Sequence, residues 1–198
     1  MSCCIPAVPP EAVDRNVPIT MRLSDLEQHC TRTLEPFAAE FYRNGSYDEE
    51  TMRQNAEALR KIQILPDYLT RSCKQIDMST SILNGSVPMS TPFGLSPTAM
   101  QKFAHPDGEM ATARACLSRD TLMIHSGWSH CNVEDVAGTG VMLWQNIYLF
   151  TDRNITHQLV RRAETSGCKA IVISCDIQCL SNRRVRGAGN KQHEIFKL

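Results

Sequence analysis

The sequence lacks an excess of charge of either sign, and it lacks long apolar runs. Its 198 residues include 21 basic and 21 acidic side chains, so the formal net charge is zero. A neutral chain has no electrostatic preference for nucleic acid or a membrane surface, and we expect neither as a partner. No stretch approaches the roughly 18 consecutive apolar residues of a membrane span. The composition, with 42% hydrophobic residues, is typical of a globular domain.

Paired cysteine spacings are absent too, although cysteine itself is frequent. The nine cysteines are irregularly spaced, their number is odd, and no Cys-x-x-Cys pair occurs. Disulfide frameworks and zinc sites depend on paired spacings. We therefore expect reduced thiols in an intracellular compartment and no metal site.

The start of the chain lacks the basic residues and the apolar core of a secretory signal peptide. Four prolines occur by Pro18, and such a segment is typical of a disordered tail. The sequence therefore predicts a tail over residues 1–20.

Three helices are predicted in the segment that follows, residues 21–75. Ser24 to Glu27 has the Ser-x-x-Glu pattern of a capping box, Pro36 suits the first turn of a second helix, and Asp48 can cap a third. The third helix has apolar residues at helical spacing, so one of its faces should be buried. These residues are Met52, Ala56, Leu59 and Ile62.

From residue 76 onward, short apolar runs alternate with helical patterns. The predicted strands are 91–96, 121–126, 141–150 and 170–175, and the predicted helices are 107–117, 132–137 and 152–167. The strands are apolar throughout, which is typical of a parallel sheet covered by helices. A Rossmann-type open sheet and a (β/α)8 barrel both fit this order, and the lack of a Gly-x-Gly-x-x-Gly turn counts against the first.

Small and polar side chains follow each predicted strand. Ligands of parallel sheets bind at the carboxyl ends of the strands, so we expect these residues to converge on one face around a planar or anionic ligand. Loops at strand ends are polar in most proteins, however, and composition alone does not distinguish a site. The residues are Ser96, Pro97, Thr98, Ala99, Ser126, Gly127, Trp128, Asn146, Tyr148, Ser174, Asp176, Arg183 and Arg184.

Several of the same stretches closely resemble the FMN-dependent 2-hydroxy acid oxidases, with glycolate oxidase as the nearest type. The most specific is "SPTAMQKFAHPDGEMATARA", and "DMSTSILN", "SGWS", "YLFTDRNITHQLVRRAE" and "KAIVISCD" support it. The resemblance covers about residues 22–198. It implies an α/β fold of the (β/α)8 TIM-barrel family, with an N-terminal helical cap over 21–75 and about four βα units over 76–198. It also implies FMN as cofactor and oxidation of a small 2-hydroxy acid to a 2-oxo acid, with oxygen as acceptor.

The resemblance also assigns flavin contacts. Asn146 stands where the family has a glutamine one methylene longer, Ser174 stands where it has a threonine, and Gly127 and His130 replace small polar residues. The implied cofactor-binding residues are Pro97, Thr98, Ala99, Ser126, Asn146, Tyr148 and Ser174.

Substrate and catalytic roles are implied in the same way. Tyr148 would stabilise the substrate oxygen, Asp176 would support a catalytic histidine, and Arg183 would steady the substrate. Phe41 stands where many members have a carboxylate-binding tyrosine, so it lines the substrate site without that hydroxyl.

None of the six histidines matches the family's catalytic histidine. His105 should close a turn, and His125 should face the helices because strand side chains alternate and Ser126 faces the cofactor. Met110 and Cys116 should pack inside a helical core. The remaining histidines are predicted to be surface residues: His29, His130, His157 and His193.

A closed barrel of this type needs about 250 residues, and this chain supplies four βα-type strands. The resemblance places the catalytic histidine, a flavin-binding lysine and the phosphate loops in a later half, so we expect half an enzyme whose activity alone is doubtful. Two alternatives are a non-catalytic half-barrel acting as an interaction or regulatory protein, and a barrel dehydrogenase with another electron acceptor.

Location and assembly follow from the resemblance alone. It implies a peroxisomal protein and, at full length, a homo-oligomer. The terminal Phe196-Lys197-Leu198 resembles the peroxisomal address Ser-Lys-Leu, but it falls inside a family loop and is not a convincing signal.

Overall fold

The computed structural model describes residues 22–66 and 76–176. The chain divides into two compact units, which among these residues comprise 22–66 with 76–77, and 78–176. The predicted tail, Arg183, Arg184, His193 and the terminal tripeptide lie outside the described residues. Within the described part, no helix has the length and apolar character needed to cross a membrane.

The first unit contains three helices, as predicted: α1 (Leu23–Thr33), α2 (Pro36–Arg43) and α3 (Glu50–Arg60). Pro36 is the first residue of α2, where its missing N–H and fixed φ suit the first turn. Helix α2 ends at Asn44, which is its C-cap. Ala38 is the buried residue of this helix.

Both predicted side-chain caps in this unit are wrong. Helix α1 has Arg22 at its N-cap and no side-chain cap bond, so Ser24 lies inside the helix. Helix α3 has Glu49 at its N-cap with a φ of 59°, one residue after the expected Asp48. The Glu49 carboxylate accepts a hydrogen bond from the Gly45 N–H (2.9 Å), so it holds the preceding turn rather than the helix.

The predicted burial of one face of α3 is also wrong. No residue of α3 is buried, and Leu59 is 72% exposed. A helical spacing shows that apolar side chains share a face, but burial also needs a surface packed against that face. The described residues provide none for this helix.

The second unit begins with an antiparallel hairpin that the sequence analysis missed, formed by β1 (Thr80–Ile82) and β2 (Val87–Met89). A four-stranded parallel sheet follows in the order β3-β4-β5-β6. Its strands are β3 (Gly94–Leu95), β4 (Leu122–His125), β5 (Leu143–Ile147) and β6 (Ile171–Ile173), and the intervening helices are α4 (Glu109–Ser118), α5 (Val133–Ala137) and α6 (Arg153–Thr165). The predicted βα alternation and parallel pairing are therefore confirmed.

The core of this unit lies between the sheet and the helices. Met110 and Cys116 of α4 pack there, as predicted. The buried members of this core are Ala113, Cys116, Met123, Val133, Val136, Val141 and Leu143.

Two polar features fix α6. The Asp152 side chain caps the helix by accepting a hydrogen bond from the Asn154 N–H (2.9 Å), as predicted. Arg162 donates from Nε and Nη2 to both carboxylate oxygens of Glu134 in α5 (2.8 Å each). These bonds to Arg162 lower the pKa of Glu134 to about 2. The pair is half exposed, so its contribution to stability is within about 1 kcal/mol.

Candidate functional site

Strand alternation places the predicted site residues on the face of the sheet opposite the helices. Met123 of β4 and Leu143 of β5 pair in register and both belong to the core under α4 and α5. Side chains alternate between the two faces of a strand, so Ser126 and Asn146 point to the opposite face. The amide of Asn146 donates to the hydroxyl of Ser174 (3.1 Å), which places Ser174 on that face as well.

We call this polar face at the strand ends the rim. It gathers residues at the carboxyl ends of the four strands β3 to β6, with Asn146 still inside β5. Its members are Pro97, Thr98, Ala99, Ser126, Gly127, Trp128, Asn146, Tyr148 and Ser174.

Backbone and hydroxyl contacts join the loops after β3 and β4. The Met100 N–H donates to the Trp128 carbonyl (3.1 Å), which holds the Pro97–Ala99 turn beside the second loop. Ser126 is buried, and its hydroxyl oxygen accepts the Trp128 N–H (3.1 Å). The Thr98 hydroxyl donates to the Ser96 carbonyl at a long 3.4 Å.

Asn146 joins three strands through one amide group. It is 1% exposed, and its Oδ1 accepts the Gly127 N–H (3.3 Å). Its Nδ2 donates to the Val172 carbonyl (3.2 Å) and to Ser174 Oγ (3.1 Å). The loop after β4 and the end of β6 are therefore both held to β5 at this residue.

Two aromatic rings border the rim. The rings of Trp128 and Tyr148 have centroids 5.7 Å apart. A Cβ at Gly127 would lie 3.0 Å from the Asn146 carbonyl and 3.3 Å from the Tyr148 ring. Glycine at this position therefore permits a close approach that a Cβ would crowd.

The sequence analysis missed Glu109, whose carboxylate accepts hydrogen bonds from the two loops after β3 and β4. This residue at the start of α4 is 0% exposed. Its Oε1 accepts the N–H groups of Gln101 (3.0 Å) and His130 (3.2 Å), and its Oε2 accepts that of Cys131 (3.2 Å). The sequence feature that could have indicated this residue is an acid directly after Gly108 at the start of a helix, where the helix dipole favours a carboxylate.

Hydrogen bonding outweighs burial in setting the ionisation of Glu109. Burial alone would raise its pKa, but the backbone N–H of Gln101 and its other donors lower it, and the pKa lies below its ordinary value. The residue is therefore a buried carboxylate at neutral pH.

We expect the stability of the chain to depend on this carboxylate in acid. The pKa of Glu109 is lower in the folded chain than its ordinary value of 4.5. Its contribution is therefore present above that pH and is lost as the pH falls through the folded pKa. The difference in free energy of unfolding between wild type and Glu109→Gln should shrink as the pH is lowered into this range.

Urea denaturation followed by tryptophan fluorescence measures this difference. The chain's two tryptophans, Trp128 and Trp144, both lie in the second unit. The control is Glu164→Gln, which removes an exposed carboxylate of α6 and should track wild type. Parallel curves for wild type and Glu109→Gln would contradict the assignment.

Two histidines of the second unit, His125 and His105, are held by hydrogen bonds. His125 is on the helix side, as predicted, with Nδ1 2.9 Å from Gln145 Oε1 and Nε2 3.2 Å from the Cys131 carbonyl. His105 closes a turn, as predicted, because its Nδ1 accepts the Asp107 N–H (3.1 Å).

The prediction of His130 as a surface residue is wrong. Its ring packs edge-on against Phe103 with centroids 5.1 Å apart, and burial lowers its pKa. The physical reason is that Glu109 holds the His130 backbone N–H and draws this loop inward.

Three other predicted residues lie in the first unit or at and beyond the end of the described residues. Phe41 lies in α2, in the first unit, and packs edge-on against Tyr42 with centroids 5.2 Å apart. Asp176 is exposed at the end of the described residues, and Arg183 lies outside them. Among the described residues, no cluster of three or more His, Cys, Asp or Glu side chains could hold a metal ion.

The side chains of the rim are compatible with the chemistry of a flavin ring. The hydroxyls of Ser126 and Ser174 each accept one protein hydrogen bond, which leaves an O–H that can donate to a ring oxygen or nitrogen. The Trp128 and Tyr148 rings supply flat apolar surface, and the small residues of the Pro97–Ala99 turn allow main chain to approach a planar ligand.

The architecture defines the class of protein. The strands follow one another in chain order, and right-handed crossovers then place every helix on one face of the sheet. The opposite face carries the rim. This is the arrangement of a (β/α)8 TIM barrel rather than of a doubly wound sheet, whose strand order reverses.

The chain belongs to the FMN-dependent dehydrogenase family, whose sequence profile matches residues 30–194. It is 40% identical to human 2-hydroxyacid oxidase 1 over 169 residues, covering 84% of this chain and 45% of that protein. It is also 40% identical to glycolate oxidase 3 of Arabidopsis thaliana over 161 residues, covering 80% of this chain and 43% of that protein.

Solved structures agree with this assignment. A mandelate oxidase structure superposes with a TM-score of 0.80 at 28% identity, covering 88% of this chain and 49% of that one. A lactate oxidase from Pediococcus acidilactici gives 0.79 at 26% identity, covering 88% of this chain and 47% of that one. The chain thus spans less than half the length of the curated relatives it matches.

Proposed function

We propose that the rim binds the isoalloxazine ring of FMN and that the chain takes part in oxidising a small 2-hydroxy acid to a 2-oxo acid, with oxygen as acceptor. The observation that carries the proposal is the gathering of Ser126, Asn146, Tyr148 and Ser174 on one face. The family is FMN-dependent by description, and the relatives are named for 2-hydroxy acids, glycolate, lactate and mandelate.

The chain's own residues would position the ring. The Pro97–Ala99 turn would lie against its plane, and the hydroxyls of Ser126 and Ser174 would donate to its polar edge. Bound FMN supplies the two-electron redox chemistry, and the protein supplies orientation and electrostatics.

Substrate handling falls to residues near the ring. The Tyr148 hydroxyl would donate to the substrate's hydroxyl or carbonyl oxygen, and Trp128 beside it would exclude water. Asp176 would support the catalytic histidine, and Phe41 and Arg183 would contact the substrate. We also propose a peroxisomal location, because one Arabidopsis relative is named a peroxisomal (S)-2-hydroxyacid oxidase, and a homo-oligomeric assembly.

A second candidate function, a non-catalytic half-barrel that binds other chains, is favoured by two observations. Strands β3 and β6 each pair with one neighbour among the described residues, and an open strand edge can pair with another chain. His125 lies on the helix side of the sheet, the His105 ring closes a turn, and the His130 ring packs against Phe103.

We expect FMN and riboflavin to bind with similar affinity, because the rim holds the ring and barrel phosphate sites generally lie after the last two strands. Ser126→Ala should weaken both ligands about equally, by roughly tenfold for one lost hydrogen bond. Fluorescence titration of the two flavins measures both effects.

The matched control is Ser118→Ala, which removes a serine hydroxyl that donates to Ala115 at the far end of α4. It should leave both affinities unchanged. If no flavin binds, or if Ser126→Ala binds as wild type does, the rim is not a flavin site. A strong preference for FMN would instead place a phosphate site within this chain.

A further inference from the structure

The amide of Asn146 uses both of its donors inside the protein. One Nδ2 hydrogen is directed at the Val172 carbonyl (3.2 Å) and the other at Ser174 Oγ (3.1 Å). An amide nitrogen has two hydrogens. Asn146 therefore has no donor left for a ligand.

The orientation of this amide is determined by its partners. If oxygen and nitrogen were exchanged, the nitrogen would face the Gly127 N–H, which is a donor, and the oxygen would face the Val172 carbonyl, which is an acceptor. Both contacts would then be repulsive. The hydrogen-bond network thus allows one arrangement.

The same contact sets the direction of the Ser174 hydroxyl. Its oxygen accepts a hydrogen from Asn146, so its own O–H must point at a different acceptor. Among residues 22–66 and 76–176 the Ser174 hydroxyl donates to no other group, and the residue is partly exposed on the rim. Its hydrogen is therefore available to a ligand.

The short side chain of Asn146 explains why its amide bonds within the protein. A glutamine, the usual residue at this position in the resembled family, would carry its amide one methylene further out. With the shorter side chain and 1% exposure, the amide stays at the level of the neighbouring strand ends. It bonds Gly127 on one side and β6 on the other.

We infer that Asn146 is a positioning residue and not a flavin ligand: it fixes the Ser174 hydroxyl as a donor aimed at the ring. The inference rests on the proposed function. Of the two residues, only Ser174 would then donate a hydrogen bond to the cofactor, and Asn146 would act through it.

The first experiment uses the chain without flavin and follows the side-chain amide of Asn146 by NMR. Both Nδ2 hydrogens should exchange slowly with solvent, and Ser174→Ala should speed exchange of one of them. The amide of Asn132, which donates to Asp135 on an exposed surface, is the internal control and should exchange fast. Rapid exchange of both Asn146 hydrogens would overturn the inference whether or not the chain binds flavin.

The second experiment measures FMN affinity by fluorescence titration in a double-mutant cycle. Asn146→Asp preserves shape but cannot donate, so the Ser174 hydroxyl turns toward the carboxylate and FMN binding weakens about tenfold. Ser174→Ala should weaken binding by a similar factor. In the Ser174→Ala background, adding Asn146→Asp should have no further effect, because Asn146 acts through Ser174.

The outcomes separate the two proposals. Additive losses in the cycle would mean that Asn146 contacts the ring itself, and the inference would be wrong while flavin binding stands. If the unaltered chain binds no flavin, the proposed function fails, and slow amide exchange still decides the role of Asn146.

The control variant Asn132→Asp should bind FMN as wild type does. If Asn146→Asp does not fold, as judged by tryptophan fluorescence, Ser174→Ala and the amide exchange carry the test.

Discussion

Replacing Glu109 by alanine will destabilise the second unit by at least about 3 kcal/mol. The substitution removes the acceptor of three backbone N–H groups, on Gln101, His130 and Cys131. Each buried donor left without a partner costs about 1–3 kcal/mol. Glu109→Gln keeps the shape but turns a donor toward one of these groups, and it should cost about 1.5–3 kcal/mol.

Urea denaturation followed by tryptophan fluorescence gives these values at neutral pH. The matched control is Glu134→Gln, which removes a carboxylate of the same unit from its half-exposed pair with Arg162 and should cost less than about 1 kcal/mol. A cost for Glu109→Ala no greater than that of the control would show that water replaces the carboxylate. The interpretation that Glu109 joins the rim loops would then be wrong.

Purified residues 1–198 with added FMN will produce no hydrogen peroxide from glycolate, lactate or mandelate above the rate of free FMN. General acid–base help is typically worth 10²–10⁴-fold, and the histidines near the described sheet are engaged elsewhere. His125 is held behind the sheet, His105 closes a turn, and His130 packs on Phe103. If the rim binds the ring and the substrate oxygen as proposed, none of these three histidines is placed to take the substrate proton.

Human 2-hydroxyacid oxidase 1 is the positive control, since the chain matches 45% of its length. The remainder of that protein can be added as a separate chain, to test whether residues 1–198 produce peroxide once a second half is present. Peroxide produced by residues 1–198 alone would contradict the prediction. His105→Gln, His125→Gln and His130→Gln would then identify the base.

Local sequence rules predicted elements whose signal lies within the element itself. The Asp152 cap, the Pro36 helix start and the alternation of strands with helices all follow from residue type and short-range periodicity. Predictions that depend on a distant partner were less reliable. The apolar face of α3 needs a surface that its own sequence cannot specify.

The site shows the same division. Their positions at strand ends indicated that Ser126 and Asn146 belong to the rim, and alternation along β4 then predicted that His125 lies on the helix side. Glu109 was missed because its importance lies in three N–H groups from two other loops, which no local pattern reveals. The Asn146 amide uses both of its donors only because Val172 and Ser174 of the neighbouring strand end lie beside it. The replacement of glutamine by asparagine, taken from the sequence alone, suggested only a shortened flavin contact.

The sheet of the second unit pairs each strand with the next one in the chain, and this affects how it folds. Partners in register lie 28 residues apart between Gly94 and Leu122, 20 between Met123 and Leu143, and 26 between Gln145 and Ile171. Each pairing closes a loop of 20 to 28 residues before its contacts form, and parallel pairing of this kind folds more slowly than the local contacts of a helical bundle. Each βα unit can also dock as soon as it leaves the ribosome, because its partner strand has already been made.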